Sequence, residues 1–194
     1  MSMQRRQRGT IEIALLGLLM FFVCAWVTVN FQQGLRRVRD YRSQANAIAV
    51  VQSAVQSYAV SNKLAFQNGK TIMYLNDQYA PTIADLKSLG FLSASAGTEL
   101  NNPFGSSYGI KLRLDPAKSI TGIVYLTDSI RDAQGQPDPQ RACGIAEALG
   151  DVGVCTAPNN PALLQNGFTQ GFVTPIANPS GKPAVAGALV FVAP

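Results

Sequence analysis

From Ile13 to Val29 the chain runs for 17 residues without a charged side chain, between Arg5, Arg6 and Arg8 on one side and Arg36, Arg37, Arg39 and Arg42 on the other. As a helix this run rises about 26 Å, near the short end of what crosses the hydrocarbon core of a bilayer, and Asn30 and Phe31 lengthen it. A secretory signal has a shorter apolar core that ends on small residues, and Trp26 to Phe31 offers no such cleavage site. The expectation is a retained membrane-embedded helix over about 13–31. The free amino terminus adds charge to the first arginine cluster and Asp40 removes one from the second. This bias favours an N-terminus on the cytoplasmic side.

No proline interrupts residues 10–60, and their only glycines are Gly17 and Gly34. One helix of some 50 residues, rising roughly 75 Å, is therefore predicted. Beyond the apolar run, Val38, Tyr41, Ala45, Ile48, Val51, Val55 and Tyr58 recur at steps of three and four, which makes one apolar stripe. A stripe needs cover, and a folded head later in the chain supplies it. Ala14 and Gly17 could allow another helix to approach closely.

The charge is as uneven as the hydropathy. The 194 residues carry a formal +5, and residues 1–59 hold all of that excess, with seven arginines against Glu12 and Asp40. The remaining nine basic residues balance nine acids. A neutral head with basic flanks argues against a nucleic-acid partner and suits the charged rims of a membrane.

In the predicted head, "PTIADLKSLGF" reads as a short helix with Thr82 as its cap, Asp85 completing a capping box and Gly90 at its end. Ile110, Leu112 and Leu114 alternate on one strand, Ile120 to Leu126 form a second, and Asp115-Pro116 begins the turn between them. A helix is expected over Gln140 to Leu149. "VCTAPNNPALLQNGF" reads as turn-rich with one helical turn near Ala162, and residues 175–187 as a loop. "AVAGALVFVAP" reads as a last strand. The head is thus α+β.

Catalytic chemistry is poorly supplied. With no histidine, the usual general base, the Ser-His and Cys-His pairs and the commonest zinc ligand are missing. Neither a serine-hydrolase motif nor a Cys-x-x-Cys occurs, and the "GKT" at 69–71 lacks the upstream glycine of a phosphate loop. No enzyme activity and no cofactor are expected. Asp128, Asp132, Asp138, Glu147 and Asp151 form the most acidic stretch, in a spacing that matches no calcium loop and suits solvated surface.

Cys24 lies in the apolar run, and Cys143 and Cys155 stand twelve positions apart in the head. The latter two either remain free thiols or pair outside the cytoplasm, where a bridge over so short a loop stabilises by roughly 3 kcal/mol.

An arginine-rich leader ending in Gly9, a glutamate just inside a membrane-length helix, an amphipathic continuation and a C-terminal cysteine pair together resemble type IV pilins. "TIADLKSLGFLSAS" at 82–95 and "NNPFGSSYGIKLRL" at 101–114 are similar to the N-terminal region of shufflon-type minor pilins of conjugative thin pili. The resemblance implies a lollipop outline, with a long N-terminal helix packed on a small antiparallel sheet. Its leader would be residues 1–9, its helix 10–60 and its head 61–194. A prepilin peptidase would cut after Gly9, leaving Thr10 as a methylated amino terminus, and Cys143 and Cys155 would staple the head.

Glu12 would neutralise the amino terminus of a neighbouring subunit, since a buried carboxylate facing an ammonium costs far less than either alone. In the family this glutamate usually stands five residues after the leader glycine. Here the spacing is three, a helical rotation of about 200° away. Glu12 at a helix N-terminus also suits the helix dipole without any neighbour.

The implied function is that of a minor pilin assembled through its N-terminal helix for adhesion or conjugation. Its partners would be other pilin subunits, the prepilin peptidase, the inner-membrane assembly machinery and the membrane. It would be a single-pass inner-membrane precursor with a periplasmic head, and then part of an extracellular pilus. A pseudopilin of a type II secretion system shares this architecture, and a bitopic envelope protein that binds a partner without assembling is a further alternative.

Overall fold

The computed structural model describes residues 3–93, 106–157, 159–166 and 176–194, with the side chains of 3–15, 33, 35 and 37 excepted. Two compact units result, 1–40 and 41–194. The first helix, α1, is Met3–Ser61 and contributes to both.

One expectation is overturned at once. Among the described residues, no helix is long and apolar enough to cross a membrane. The membrane-spanning part at 13–31, the lollipop outline that rests on it and the single-pass inner-membrane precursor with a periplasmic head are all corrected by this finding.

Unit 41–194 is an α+β layer structure. After α1 come the short helices α2 (Lys63–Gln67) and α3 (Ile83–Ser88), then strands β1 (Tyr108–Leu114) and β2 (Ile120–Leu126). Helix α4 (Pro139–Ala148) and a 3₁₀ turn (Gly150–Val152) lead into β3 (Gly153–Ala157), β4 (Asn160–Asn166), β5 (Ile176–Ala177) and β6 (Ala186–Val192). The strands form one antiparallel sheet in the order β1-β2-β6-β3-β4-β5.

Local chemistry explains most boundaries. Thr82 and Asp85 cap each other's backbone at the start of α3, and the Leu89 carbonyl end is followed by Gly90 at φ 79°. Pro139 begins α4, where its missing N–H costs nothing, and Asp138 Oδ1 accepts from Arg141 N at 2.9 Å. In the β1–β2 turn Lys118 N donates to Asp115 O at 2.8 Å, while the Asp115 carboxylate accepts from the Ser119 and Thr121 hydroxyls and forms an ion pair with Arg113. The "GKT" stretch closes α2, with Gly69 at φ 63° donating to Phe66 O.

The segment from 153 to 166 corrects the sequence reading. Where turns and a helical turn near Ala162 were expected, β3 and β4 pair as a hairpin with a register shift between Thr156 and Ala157. Pro161 is tolerated because it sits at the second position of β4, at the irregular end of the ladder. The expected loop at 175–187 contains β5, which pairs with Leu163 and Leu164.

One face of the sheet packs on helices. Ala45, Ile48, Val51, Val55 and Tyr58 of α1 share a core with Ile110, Leu112, Ile120, Val124, Ala188 and Val190. Val38, expected in the same stripe, lies in unit 1–40 and is exposed. Tyr58 anchors a cluster with edge-on rings of Phe66 and Phe91 at 5.9 and 5.7 Å, and its hydroxyl donates to Gln78 O at 3.0 Å. Helix α4 lies directly on β3, where a Cβ on Gly153 would press into the Ala146 carbonyl. Cys143 of α4 and Cys155 of β3 are joined by a disulfide with their Cα atoms 5.0 Å apart.

Candidate assembly surface

Unit 1–40 is a length of α1 whose described side chains are exposed. Leu16, Leu19, Phe21, Trp26 and Phe31 are each between 66% and 70% exposed. At about 100° per residue these five positions fall near 0°, 300°, 140°, 280° and 60° around the helix axis. Leu18 and Phe22, 58% and 62% exposed, fall near 200° and 240° and fill the remaining arc, so apolar surface covers every side of this segment and no stripe is left for water.

The polar residues within it add little hydrophilicity. Thr28 Oγ1 donates to Cys24 O at 2.7 Å and Asn30 Nδ2 to Trp26 O at 2.9 Å, so each side chain turns a donor onto the helix's own carbonyls. Leu18, Leu19, Phe22, Val23 and Trp26 line a shallow hollow of about 360 Å³, and Phe21 and Phe22 stand edge to face at 6.3 Å. A hollow of this size beside protruding rings is a shape that accepts a knob from another helix. Cys24 is exposed here as a free thiol.

Of the residues picked from the sequence, Gly9, Thr10 and Glu12 lie within α1, and their side chains are outside the described residues. The Gly9–Thr10 peptide bond is thus inside helical backbone. Cys143 and Cys155 are together in unit 41–194, as described above. The resemblance segments 82–95 and 101–114 are described only over 82–93 and 106–114, where they form α3 and β1.

The acidic stretch holds no ligand cage. Asp128 pairs with Lys182, which holds its carboxyl below the usual carboxylate range, mainly through their hydrogen bond. Asp132 accepts from Gln134 N and Gln136 N in a turn, and Asp138 caps α4. Among the described residues no three His, Cys, Asp or Glu side chains gather closely enough to hold a metal ion.

Two residues that sequence reasoning passed over tie α1 to the sheet. Gln52 Nε2 donates to Leu189 O at 3.1 Å, and Gln56 Nε2 donates to Phe191 O at 2.6 Å while its Oε1 accepts from Phe191 N at 3.4 Å. The β3 ladder on β6 covers only Ala186 to Ala188. The glutamines thus supply, from a helix, the hydrogen bonds that a longer β3 would have made to the rest of that edge.

A disulfide-joined α+β unit whose helix extends into a segment apolar on all sides is the class of protein that this geometry defines. Comparison with known proteins finds no family model, no curated protein and no solved structure that matches the chain.

Proposed function

We propose that the chain is a structural, non-catalytic filament subunit of the type IV pilin kind, assembled through the first part of α1. The observation that carries this reading is the all-round apolar exposure from Leu16 to Phe31. A helix segment with no polar side needs apolar neighbours on every side, and several copies of the same segment supply them at once. The unit 41–194, closed by the Cys143–Cys155 disulfide, is what each copy would display.

In this reading a prepilin peptidase removes residues 1–9. Gly9 eases the local unwinding that cleavage inside a helix requires, because it loses the most conformational freedom in a helix and gives the least in return. Thr10 then provides the new ammonium, and Glu12 of a neighbouring copy is the carboxylate that meets it. The pilus assembly machinery and other pilin subunits are the partners, with adhesion or conjugation as the role.

The test is the N-terminal mass of the protein from cells with and without the peptidase. A chain beginning at Thr10 only when the peptidase is present supports the proposal. A chain that keeps residues 1–9 in both refutes it.

A further inference from the structure

The sheet face turned away from α1 is concave. Ile176, Ala177 and Pro179, from the β5 end of the sheet, line the same cleft as residues of β1, β2 and β6 at the other end, so the sheet curls around a space of about 620 Å³. This volume falls within the roughly 300–1,000 Å³ of small-ligand clefts.

Two rows of side chains cross the cleft, because the register places Lys111, Ile123 and Leu189 side by side and Arg113, Thr121 and Phe191 side by side. Ile123 is buried, Leu189 is partly buried, and Phe191 stands 58% exposed. Apart from the Thr121 hydroxyl, β2 and β6 thus present apolar side chains, while β1 presents two cations at positions i and i+2, on one face.

The charge is unbalanced within the cleft. Among the described residues no acidic side chain lines it, and the nearest carboxylate, Asp115, touches Arg113 and Thr121 from the β1–β2 turn. Lys111 has no ion-pair partner among the described residues, and Arg113 engages Asp115 through Nε at 3.0 Å. That contact leaves the terminal guanidinium nitrogens as donors in a planar fork, the geometry that accepts a carboxylate. An extended peptide adding to the sheet is a poorer fit, since the β1 edge is engaged where Leu112 N donates to Tyr79 O at 2.6 Å.

We propose that this cleft binds a small amphipathic carboxylate, with its apolar body over Ile123, Leu189 and Phe191 and its anionic head between Lys111 and Arg113. Neither the apolar floor nor the cation pair is used in assembly through α1. The site therefore stands independently of the filament reading.

Dodecanoate, below its micelle concentration, is a suitable probe of the full chain by titration calorimetry and amide chemical shifts. Saturable one-to-one binding is expected, with shifts centred on Thr121 to Ile123 and Leu189 to Phe191. Lys111→Gln should weaken it about tenfold, as for a lost charge-assisted hydrogen bond, and Phe191→Ser by a similar factor. Dodecanol should bind at least tenfold more weakly than dodecanoate. Shifts confined to Leu16–Phe31, equal binding of the alcohol, or affinity unchanged in both variants would each overturn the proposal. Both substituted positions are solvent-facing, and the shift pattern of the unliganded variants checks that the fold is kept.

Discussion

At the scale of single residues, the disulfide and one glycine contact both hold α4 against β3. Replacing Cys143 and Cys155 by serine should lower the unfolding free energy by about 3 kcal/mol in urea titrations, the value for a loop this short. Gly153→Ala should cost about 1–3 kcal/mol in the same assay, because its methyl would force α4 off β3 at the Ala146 carbonyl. Tyr58, Tyr108 and Tyr125 all have their phenol pKa raised, chiefly by burial. A raised pKa means that the unfolded chain gives up these protons first as pH increases. Stability is therefore expected to hold up to about pH 10 and to fall above it, through the window between the unfolded and folded tyrosine values. A pH series of urea midpoints checks this, and Tyr58→Phe should flatten the fall.

Sequence reasoning served well at this scale where one residue type has one local use. Thr82 with Asp85, Gly90, and Asp115-Pro116 are such cases, since each acts on backbone within a few positions of itself. The glutamine contacts were illegible for the opposite reason. Gln52 and Gln56 meet β6 more than 130 positions away in the chain, and nothing in a glutamine on a helix announces a strand edge.

At the scale of elements, the meeting of α1 and β6 is the feature with the clearest consequence. Gln56→Ala leaves the Phe191 amide and carbonyl without their partners, and a loss of about 1–2 kcal/mol is expected from denaturant midpoints. Gln56→Glu should also destabilise, because a carboxylate can accept from Phe191 N but cannot donate to Phe191 O. Accelerated exchange of the Phe191 amide proton would locate either effect at the strand edge.

Strong periodicity made α1, β1, β2 and β6 legible, whereas β3 and β4 were hidden. Asn159, Asn160 and Pro161 are turn signals, and Ala162-Leu163-Leu164 favours a helix, yet the pairing of β3 with both β6 and β4 overrides those preferences. Two-residue β5 exists only through its contacts with β4, so no local pattern could have shown it.

At the scale of the whole molecule, the sequence made plain that one segment is apolar throughout, and composition alone carries that information. The length of that segment then misled. Counting from Ile13 to Phe31 suggested a membrane span, while no helix among the described residues is long and apolar enough to cross one. The exposure around the full circumference between Leu16 and Phe31 instead leaves contact with other apolar helices as the use we propose for it.

Trp26→Glu tests that claim most directly. Trp26 is 69% exposed and belongs to unit 1–40, so the substitution should leave unit 41–194 folded. Burying one unpaired carboxylate among apolar neighbours is costly, and incorporation should fall at least tenfold. The measurement is the amount of the chain in sheared filaments relative to the total in the cell, for the native protein, for Trp26→Glu and for Leu64→Glu, an equally exposed apolar position on the other unit. The account predicts native and Leu64→Glu chains in the filament fraction and Trp26→Glu nearly absent from it. Equal recovery of all three, or no native chain in filaments at all, would contradict assembly through α1.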